Sequence, residues 1–104
     1  MKNVLVMLST YNGEKYLREQ IESVLKQENV KISILVRDDG STDNTCNILE
    51  EYEKKGLLRW YTGKNLKPAK SFIDLIFHAT NDFDYYAFCD QDDFWYFKKD
   101  IFSY

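Results

Sequence analysis

The stretch VLVMLSTYNGEKYLREQIESVL, residues 4–25, decides the fold class. Its first five residues are all apolar, which predicts a strand buried on both faces, as strands of parallel sheets are. Asn12 and Gly13 end this strand, and from Glu14 onward the apolar residues recur every three to four positions, the spacing of an amphipathic helix. We therefore predict one buried strand followed by one helix that packs back onto the sheet.

The same alternation continues along the chain. Apolar runs at residues 32–36, 57–61 and 85–89 predict three more strands, and the amphipathic stretches between them predict two more helices. This βαβαβαβ order predicts an α/β protein with three α/β/α layers and a mainly parallel sheet. The strand order that we expect is 3-2-1-4. The stretch YFKKDIFSY, residues 96–104, has no clear period and receives no assignment.

Composition excludes several classes of protein. A length of 104 residues with 44% hydrophobic residues suits one folded domain, and a net charge of −3 argues against a nucleic-acid binder. Cys46 and Cys89 lack metal-ligand spacing, so we expect two buried thiols in a reducing compartment. No apolar run approaches the ~20 residues of a membrane span. We therefore expect a cytoplasmic protein, whose only membrane contact would be peripheral, at the inner face.

Three polar clusters follow strands one, two and four: residues 9–12, 38–43 and 90–93. In open parallel sheets, ligands bind beyond the carboxyl ends of the strands, where the strand order reverses. With the order 3-2-1-4, strands two, one and four are neighbours. We therefore predict that the three clusters face a single crevice, although each cluster alone is also compatible with an ordinary turn or helix cap.

The residue types in these clusters suggest a ligand. A tyrosine at a strand end can stack on a flat ring, and a carboxylate beside it can accept a hydrogen bond from a base N–H or a ribose hydroxyl. The Asp-x-Asp spacing of Asp90 and Asp92 suits a hard divalent cation that also binds phosphate oxygens. The sequence contains no glycine-rich phosphate loop, so a bound phosphate would need such a cation. We predict a site for a nucleoside diphosphate with its metal.

Three motifs together carry a family resemblance: STYNGEKYLREQIESVLKQ at residues 9–27, VRDDGSTDNT at 36–45 and FCDQDDFW at 88–95. They resemble the family 2 glycosyltransferases of the GT-A fold, in particular the rhamnosyltransferase-like members that build bacterial cell-surface polysaccharides. The resemblance covers residues 1–95. It implies the Rossmann-like, nucleotide-binding half of a GT-A fold.

The resemblance implies a nucleobase pocket at the ends of the first two strands. Ser9, Thr10 and Tyr11 would line this pocket, with Tyr11 packing on the base. Asp39 would accept a hydrogen bond from the base. Asp38 is expected to hold the turn rather than to contact the ligand, although a ligand contact stays open.

The resemblance also implies a donor-sugar and metal site after the fourth strand. Asp90 would face the ribose and the donor sugar, Asp92 would bind a divalent metal (Mn²⁺ or Mg²⁺), and Asp93 would face the sugar. Three more polar residues correspond to a family loop near the donor, where a lysine could meet a phosphate or simply be solvated: Asn65, Lys67 and Lys70.

The activity implied by the resemblance is transfer of a sugar from a UDP- or dTDP-sugar, with dTDP-rhamnose among the candidates, to a glycan acceptor. In inverting hexosyltransferases of this fold, a carboxylate in the second half of the domain is the catalytic base. The motif resemblance stops after Trp95. We therefore expect residues 1–95 to form the donor part, residues 96–104 a divergent tail, and the acceptor half with its base to be absent.

Two interpretations of such a chain stay open. It is either a donor domain that is inactive alone, or a non-catalytic nucleotide- and metal-binding remnant of an interrupted gene. A signalling receiver domain is disfavoured, because YTGKN at the end of the third strand contains no aspartate. An uncovered edge of the fourth strand would pair with a second copy, giving a homodimer, or be covered by the tail.

Overall fold

The structure is a computed structural model that describes residues 1–66, 68–89 and 94–98. Within these residues, strands and helices alternate from β1 to β4, and a further strand follows β4. In chain order the elements are β1 (Lys2–Thr10), α1 (Leu17–Leu25), β2 (Val30–Asp38), α2 (Thr45–Lys54), β3 (Arg59–Thr62), α3 (Pro68–His78), β4 (Tyr85–Cys89) and β5 (Phe94–Lys98).

The strands form one sheet in the order β3-β2-β1-β4-β5. β1 pairs in parallel with β2 and β4, and β2 pairs in parallel with β3. The predicted order 3-2-1-4 is confirmed. Thr10 pairs with Asp38, Asp38 with Thr62, and Leu8 with Cys89, so four strands end at the same edge of the sheet.

Helices cover both faces of the sheet, which confirms the predicted three layers. Alternate residues of β1 point to opposite sides, so one set packs beneath α1 and α2 and the other beneath α3. This is why residues 4–8 of β1 are apolar without a break. The larger core contains Val4, Val6, Leu8, Leu17, Ile21, Val24, Ile34, Val36, Ile48, Leu49, Tyr52, Leu58, Ala87 and Cys89. The smaller core contains Leu5, Met7, Leu35, Leu75, Tyr86 and Phe88.

β5 was not assigned from the sequence. It pairs antiparallel with β4, from Cys89 opposite Phe94 to Tyr85 opposite Lys98. Residues 96–98 of the expected tail therefore extend the sheet and cover the edge of β4, while residues 99–104 lie outside the described part. A homodimer through a sheet edge or the tail stays a prediction, and among the described strands the sheet edges are β3 and β5. Among the described residues, no helix combines the length and apolar character needed to cross a bilayer.

Candidate functional site

The loops after β1 and β2 are joined by hydrogen bonds. The Asp39 backbone N–H donates to the Thr10 carbonyl at 2.9 Å. The Asn12 backbone N–H donates to the Ser41 hydroxyl at 2.8 Å, and the Asn12 side-chain oxygen accepts the Thr42 backbone N–H at 2.8 Å. The first two of the three predicted clusters therefore lie together at the carboxyl edge of the sheet.

The start of α2 strengthens this junction. The Thr45 hydroxyl accepts the Gly13 backbone N–H at 3.0 Å, and Asp43 accepts the backbone N–H groups of Thr45 and Glu14. Partial burial raises the pKa of Asp43, but the hydrogen bonds from Thr45 and Glu14 outweigh it and hold that pKa below its ordinary value. As a carboxylate, Asp43 thus accepts the first backbone N–H of α2 and ties the helix to the loop after β1.

Asp38 is fully buried and holds the turn after β2. Its carboxylate accepts hydrogen bonds from the backbone N–H groups of Gly40 at 3.2 Å and Ser41 at 3.1 Å, and from the Thr62 hydroxyl at 3.1 Å. The Cys46 thiol lies 3.3 Å from the same carboxylate. Burial and the hydrogen bond to Asp38 raise the pKa of Cys46 to about 11. These contacts are structural, as expected for Asp38.

Asp39 is 6% exposed and lies beside Ser9. The Ser9 hydroxyl donates to Asp39 Oδ2 at 3.3 Å, and the Ser71 hydroxyl from α3 lies 3.2 Å from both carboxylate oxygens. Arg37 forms an ion pair with Oδ1. The carboxylate expected to meet a nucleobase is therefore enclosed by a polar network that sequence analysis did not assign.

Arg37 is the centre of that network. Its Nε lies 2.8 Å from Asp74 Oδ2, and its Nη2 donates to the Lys64 carbonyl at 3.0 Å. Tyr61 donates its hydroxyl to Asp74 at 2.7 Å. Burial raises the pKa of Asp74, but hydrogen bonds from Tyr61 and Arg37 outweigh it and hold that pKa below its ordinary value. One signal could have identified Arg37: a charged residue in an apolar strand needs buried partners.

The remaining predicted residues lie in different positions. Tyr11, which directly follows β1, is 45% exposed, while Thr10 is buried. Asn65 and Lys70 are exposed, and Lys67 lies outside the described residues.

The third cluster is not described. Asp90, Asp92 and Asp93 lie outside the described residues, in the connection between Cys89 and Phe94, which pair with each other. Cys89, the last described residue before this cluster, pairs with Leu8 of β1. Within the part of the chain that the structure covers, no three acidic, histidine or cysteine side chains are grouped to hold a metal ion.

Comparison with known proteins defines the class. The model of the family "Glycosyl transferase family 2" matches residues 5–100, so the match continues past Trp95. The chain belongs to glycosyl transferase family 2.

Two relatives illustrate the likeness. The chain is 41% identical over 101 residues to the dTDP-rhamnosyl transferase RfbG of Shigella flexneri, a match that covers 88% of this chain and 34% of that protein. It is 34% identical to the putative teichuronic acid biosynthesis glycosyltransferase TuaG of Bacillus subtilis, over 93% of this chain and 38% of the relative. The chain therefore spans little more than a third of the length of either relative.

Solved structures show the same fold. Residues 1–349 of TarS from S. aureus, in complex with UDP-GlcNAc, match 99% of this chain and 29% of that chain, with a TM-score of 0.74 and 33% identity. The mannosyltransferase PcManGT from Pyrobaculum calidifontis, in complex with GDP-Man and Mn²⁺, matches 86% of this chain and 27% of that chain, with a TM-score of 0.74 and 23% identity. The second likeness supports the fold alone. The GT-A resemblance inferred from the motifs is confirmed.

Proposed function

We propose that this chain forms the donor-binding part of a glycosyltransferase that takes a sugar from a UDP- or dTDP-sugar for transfer to a cell-surface polysaccharide, at the cytoplasmic side of the membrane. One observation carries the proposal: the Ser9 hydroxyl donates to Asp39 at the carboxyl edge where β1 and β2 end, and Tyr11 directly follows β1 at that edge. This is the edge at which parallel α/β sheets bind ligands. The similarity to a dTDP-rhamnosyl transferase and to a structure holding UDP-GlcNAc supports this ligand class.

The described residues suit a nucleobase. The Asp39 carboxylate only accepts hydrogen bonds, and uracil and thymine each present one N–H between two carbonyl groups. The ring of Tyr11 is exposed enough to lie against the face of such a base. Ser9 reaches the base site through Asp39, to which its hydroxyl donates. Thr10 contributes its backbone carbonyl, which fixes the Asp39 backbone.

We assign the metal and sugar contacts to the loop after β4. Asp92 would bind Mn²⁺ or Mg²⁺, Asp90 would face the ribose and sugar, and Asp93 would face the sugar. Carboxylate oxygens are the ligands that such hard cations take in proteins. When bound, the cation would stabilise negative charge on the departing nucleoside diphosphate.

The catalytic base and the acceptor site are proposed to belong to parts of the family domain outside the donor part. The chain spans 34% of the Shigella relative, which leaves most of that protein to provide them. The alternative is an inert nucleotide- and metal-binding remnant. Both interpretations predict donor binding by the chain, and they differ in whether the donor part can support transfer once the remainder is supplied.

Calorimetric titration with UDP and dTDP, with and without Mn²⁺, tests the donor site. We expect metal-dependent binding that Tyr11→Ala weakens about tenfold or more, since base–aromatic stacking contributes about 1–3 kcal/mol. Tyr16→Ala is the matched control, because Tyr16 is 56% exposed and lies near the start of α1. Metal-independent binding that survives Asp92→Ala would contradict the metal assignment.

A transfer assay separates the two interpretations. Residues 1–98, which keep β5 whole, replace the matching part of the Shigella relative, and the chimera is given labelled nucleotide sugar and Mn²⁺. Transfer by the chimera, abolished by Asp92→Ala, supports a functional donor part. A folded chimera without transfer favours the remnant, and sugar transfer by the 104-residue chain alone would contradict the absence of the base.

A further inference from the structure

Arg37 is a buried cation for which the proposed function has no direct use. The residue is 3% exposed and lies at the end of β2, one residue before the turn-holding Asp38. A guanidinium in such a position requires several partners, because burial removes it from water. Its partners come from three segments of the chain: Asp39 after β2, Lys64 after β3, and Asp74 on α3.

The hydrogen-bond partners of Asp39 can be compared with the number of acceptor positions that its carboxylate offers. A carboxylate offers about four acceptor positions. Arg37 Nη1 forms an ion pair with Oδ1 but has no hydrogen-bond partner among the described residues, and the Ser9 hydroxyl donates to Oδ2. The Ser71 hydroxyl lies 3.2 Å from both oxygens but has one proton, so it fills one position at a time. The two hydroxyl donors in the described residues therefore leave acceptor capacity on the carboxylate for a ligand N–H.

The positive charge of Arg37 affects which nucleobase groups the unfilled acceptor position of Asp39 can bind. A nearby cation favours the ionised form of a carboxylate, and an ionised carboxylate accepts hydrogen bonds without donating any. N3–H of uracil or thymine can donate to Asp39. N3 of cytosine carries a lone pair instead, so the same position repels it. An unfilled acceptor position on a carboxylate held beside a cation therefore discriminates between these bases.

Arg37 is held so that it cannot turn away from Asp39. Asp74 binds Nε at 2.8 Å and the Lys64 carbonyl accepts from Nη2 at 3.0 Å. Gly63 leaves room for the guanidinium: a Cβ atom at position 63 would lie 2.5 Å from Nη2. Asp74 is itself fixed by the Tyr61 hydroxyl at 2.7 Å. Residues from β3 and α3 thus act on Asp39 through Arg37.

We propose that Arg37, held by Asp74 and by the space at Gly63, is a positioning residue that orients Asp39 to accept one N–H and so makes the donor site select uracil or thymine over cytosine. This inference rests on the proposed function. Arg37 does not touch the nucleotide, so its effect is on selectivity rather than on metal or phosphate binding.

The test measures UDP and CDP affinities by calorimetry with Mn²⁺ for wild type, Arg37→Lys and Gly63→Ala. Lysine keeps the charge but lacks the planar fork that spans Asp39 and Asp74. Gly63→Ala retains Arg37 and both carboxylates and displaces the guanidinium. Both variants are expected to bind UDP about tenfold more weakly, as for loss of a hydrogen bond to a charged group, with CDP affinity changed less than twofold. Arg59→Lys, on an exposed arginine at the start of β3, is the control.

The outcomes are distinguishable. A fall in the UDP-to-CDP affinity ratio in both variants supports the positioning role. An equal loss for both nucleotides, or an unchanged ratio in folded variants, overturns it and leaves Arg37 a structural residue. Wild type that binds UDP without preference over CDP also overturns it. Wild type that binds neither nucleotide contradicts the proposed function itself. If circular dichroism shows that Arg37→Lys is unfolded, Gly63→Ala and the milder Asp74→Asn decide the result in the same way.

Discussion

Replacing Asp38 by alanine is expected to destabilise the junction between β2, β3 and α2. The carboxylate of Asp38 is fully buried and accepts two backbone N–H groups, from Gly40 and Ser41, and the Thr62 hydroxyl. The Ser41 hydroxyl donates to its other oxygen. Alanine removes the acceptor of all of these hydrogen bonds and leaves the donors without it.

The size of the effect follows from the contacts. Hydrogen bonds to charged groups contribute about 1.5–3 kcal/mol each, but donors at Gly40 and Thr62 lie at exposed residues and regain part of this from water. We therefore expect Asp38→Ala to lower the free energy of unfolding by about 3–5 kcal/mol, out of a total of about 5–15 kcal/mol. Asp38→Asn should cost about 1–2 kcal/mol, because its amide oxygen can still accept the two backbone N–H groups.

Urea unfolding followed by circular dichroism at pH 7 measures both variants. Glu50→Ala, at an exposed position on α2, is the control and should change the free energy of unfolding by less than about 0.5 kcal/mol. A loss below about 1 kcal/mol for Asp38→Ala would show that water replaces the carboxylate at little cost. An equal loss for alanine and asparagine would show that the hydrogen bonds are not the cause.

Three further predictions concern packing, ionisation and reactivity. Leu75→Ala should lower the free energy of unfolding in urea by about 2–5 kcal/mol, because Leu75 is fully buried. Phe77→Ala on the same helix, at an 82% exposed residue, should leave that free energy almost unchanged. Equal losses would contradict the assigned buried face of α3. Because the pKa of Asp74 is lowered in the folded state, its ionised form stabilises the fold above the ordinary pKa of about 3.9, and this stabilisation is lost as pH falls through the lower folded value. Wild type should therefore be more stable than Asp74→Asn at pH 7 and should lose that advantage near pH 2. An equal difference in stability at both pH values would refute this. Cys46, with its pKa raised to about 11, should react with iodoacetamide slowly at pH 8 and faster toward pH 11 when followed by peptide mass spectrometry, and rapid alkylation at pH 8 would count against the hydrogen bond to Asp38.

The sequence alone predicted most of the architecture. The unbroken apolar run of β1 indicated a central strand, and both faces of β1 are covered by helices. The stripe of Thr45, Ile48, Leu49 and Tyr52 on α2 is buried as its spacing indicated. Such patterns are readable because the period of a helix or strand decides which side chains share a face. The alternation of strands and helices then limits the sheet to a few topologies, of which 3-2-1-4 is the one observed.

The candidate site was predicted in part. Ser9 and Asp39 were expected together because both follow neighbouring parallel strands, and their side chains do meet. β5 was missed, since residues 94–98 show no clear alternation and their pairing depends on the free edge of β4.

Only the tertiary structure decided what surrounds Asp39. Ser71 lies 32 positions from Asp39, and Asp74 lies 37 positions from Arg37. No local sequence period relates residues so far apart. Their contact requires α3 to lie at a particular position on the face of the sheet and in a particular orientation about the helix axis. That placement follows from packing of the Leu75 side of α3 against the core. The sequence thus predicted the sheet edge at which the candidate site lies, and packing of α3 determined which groups surround Asp39.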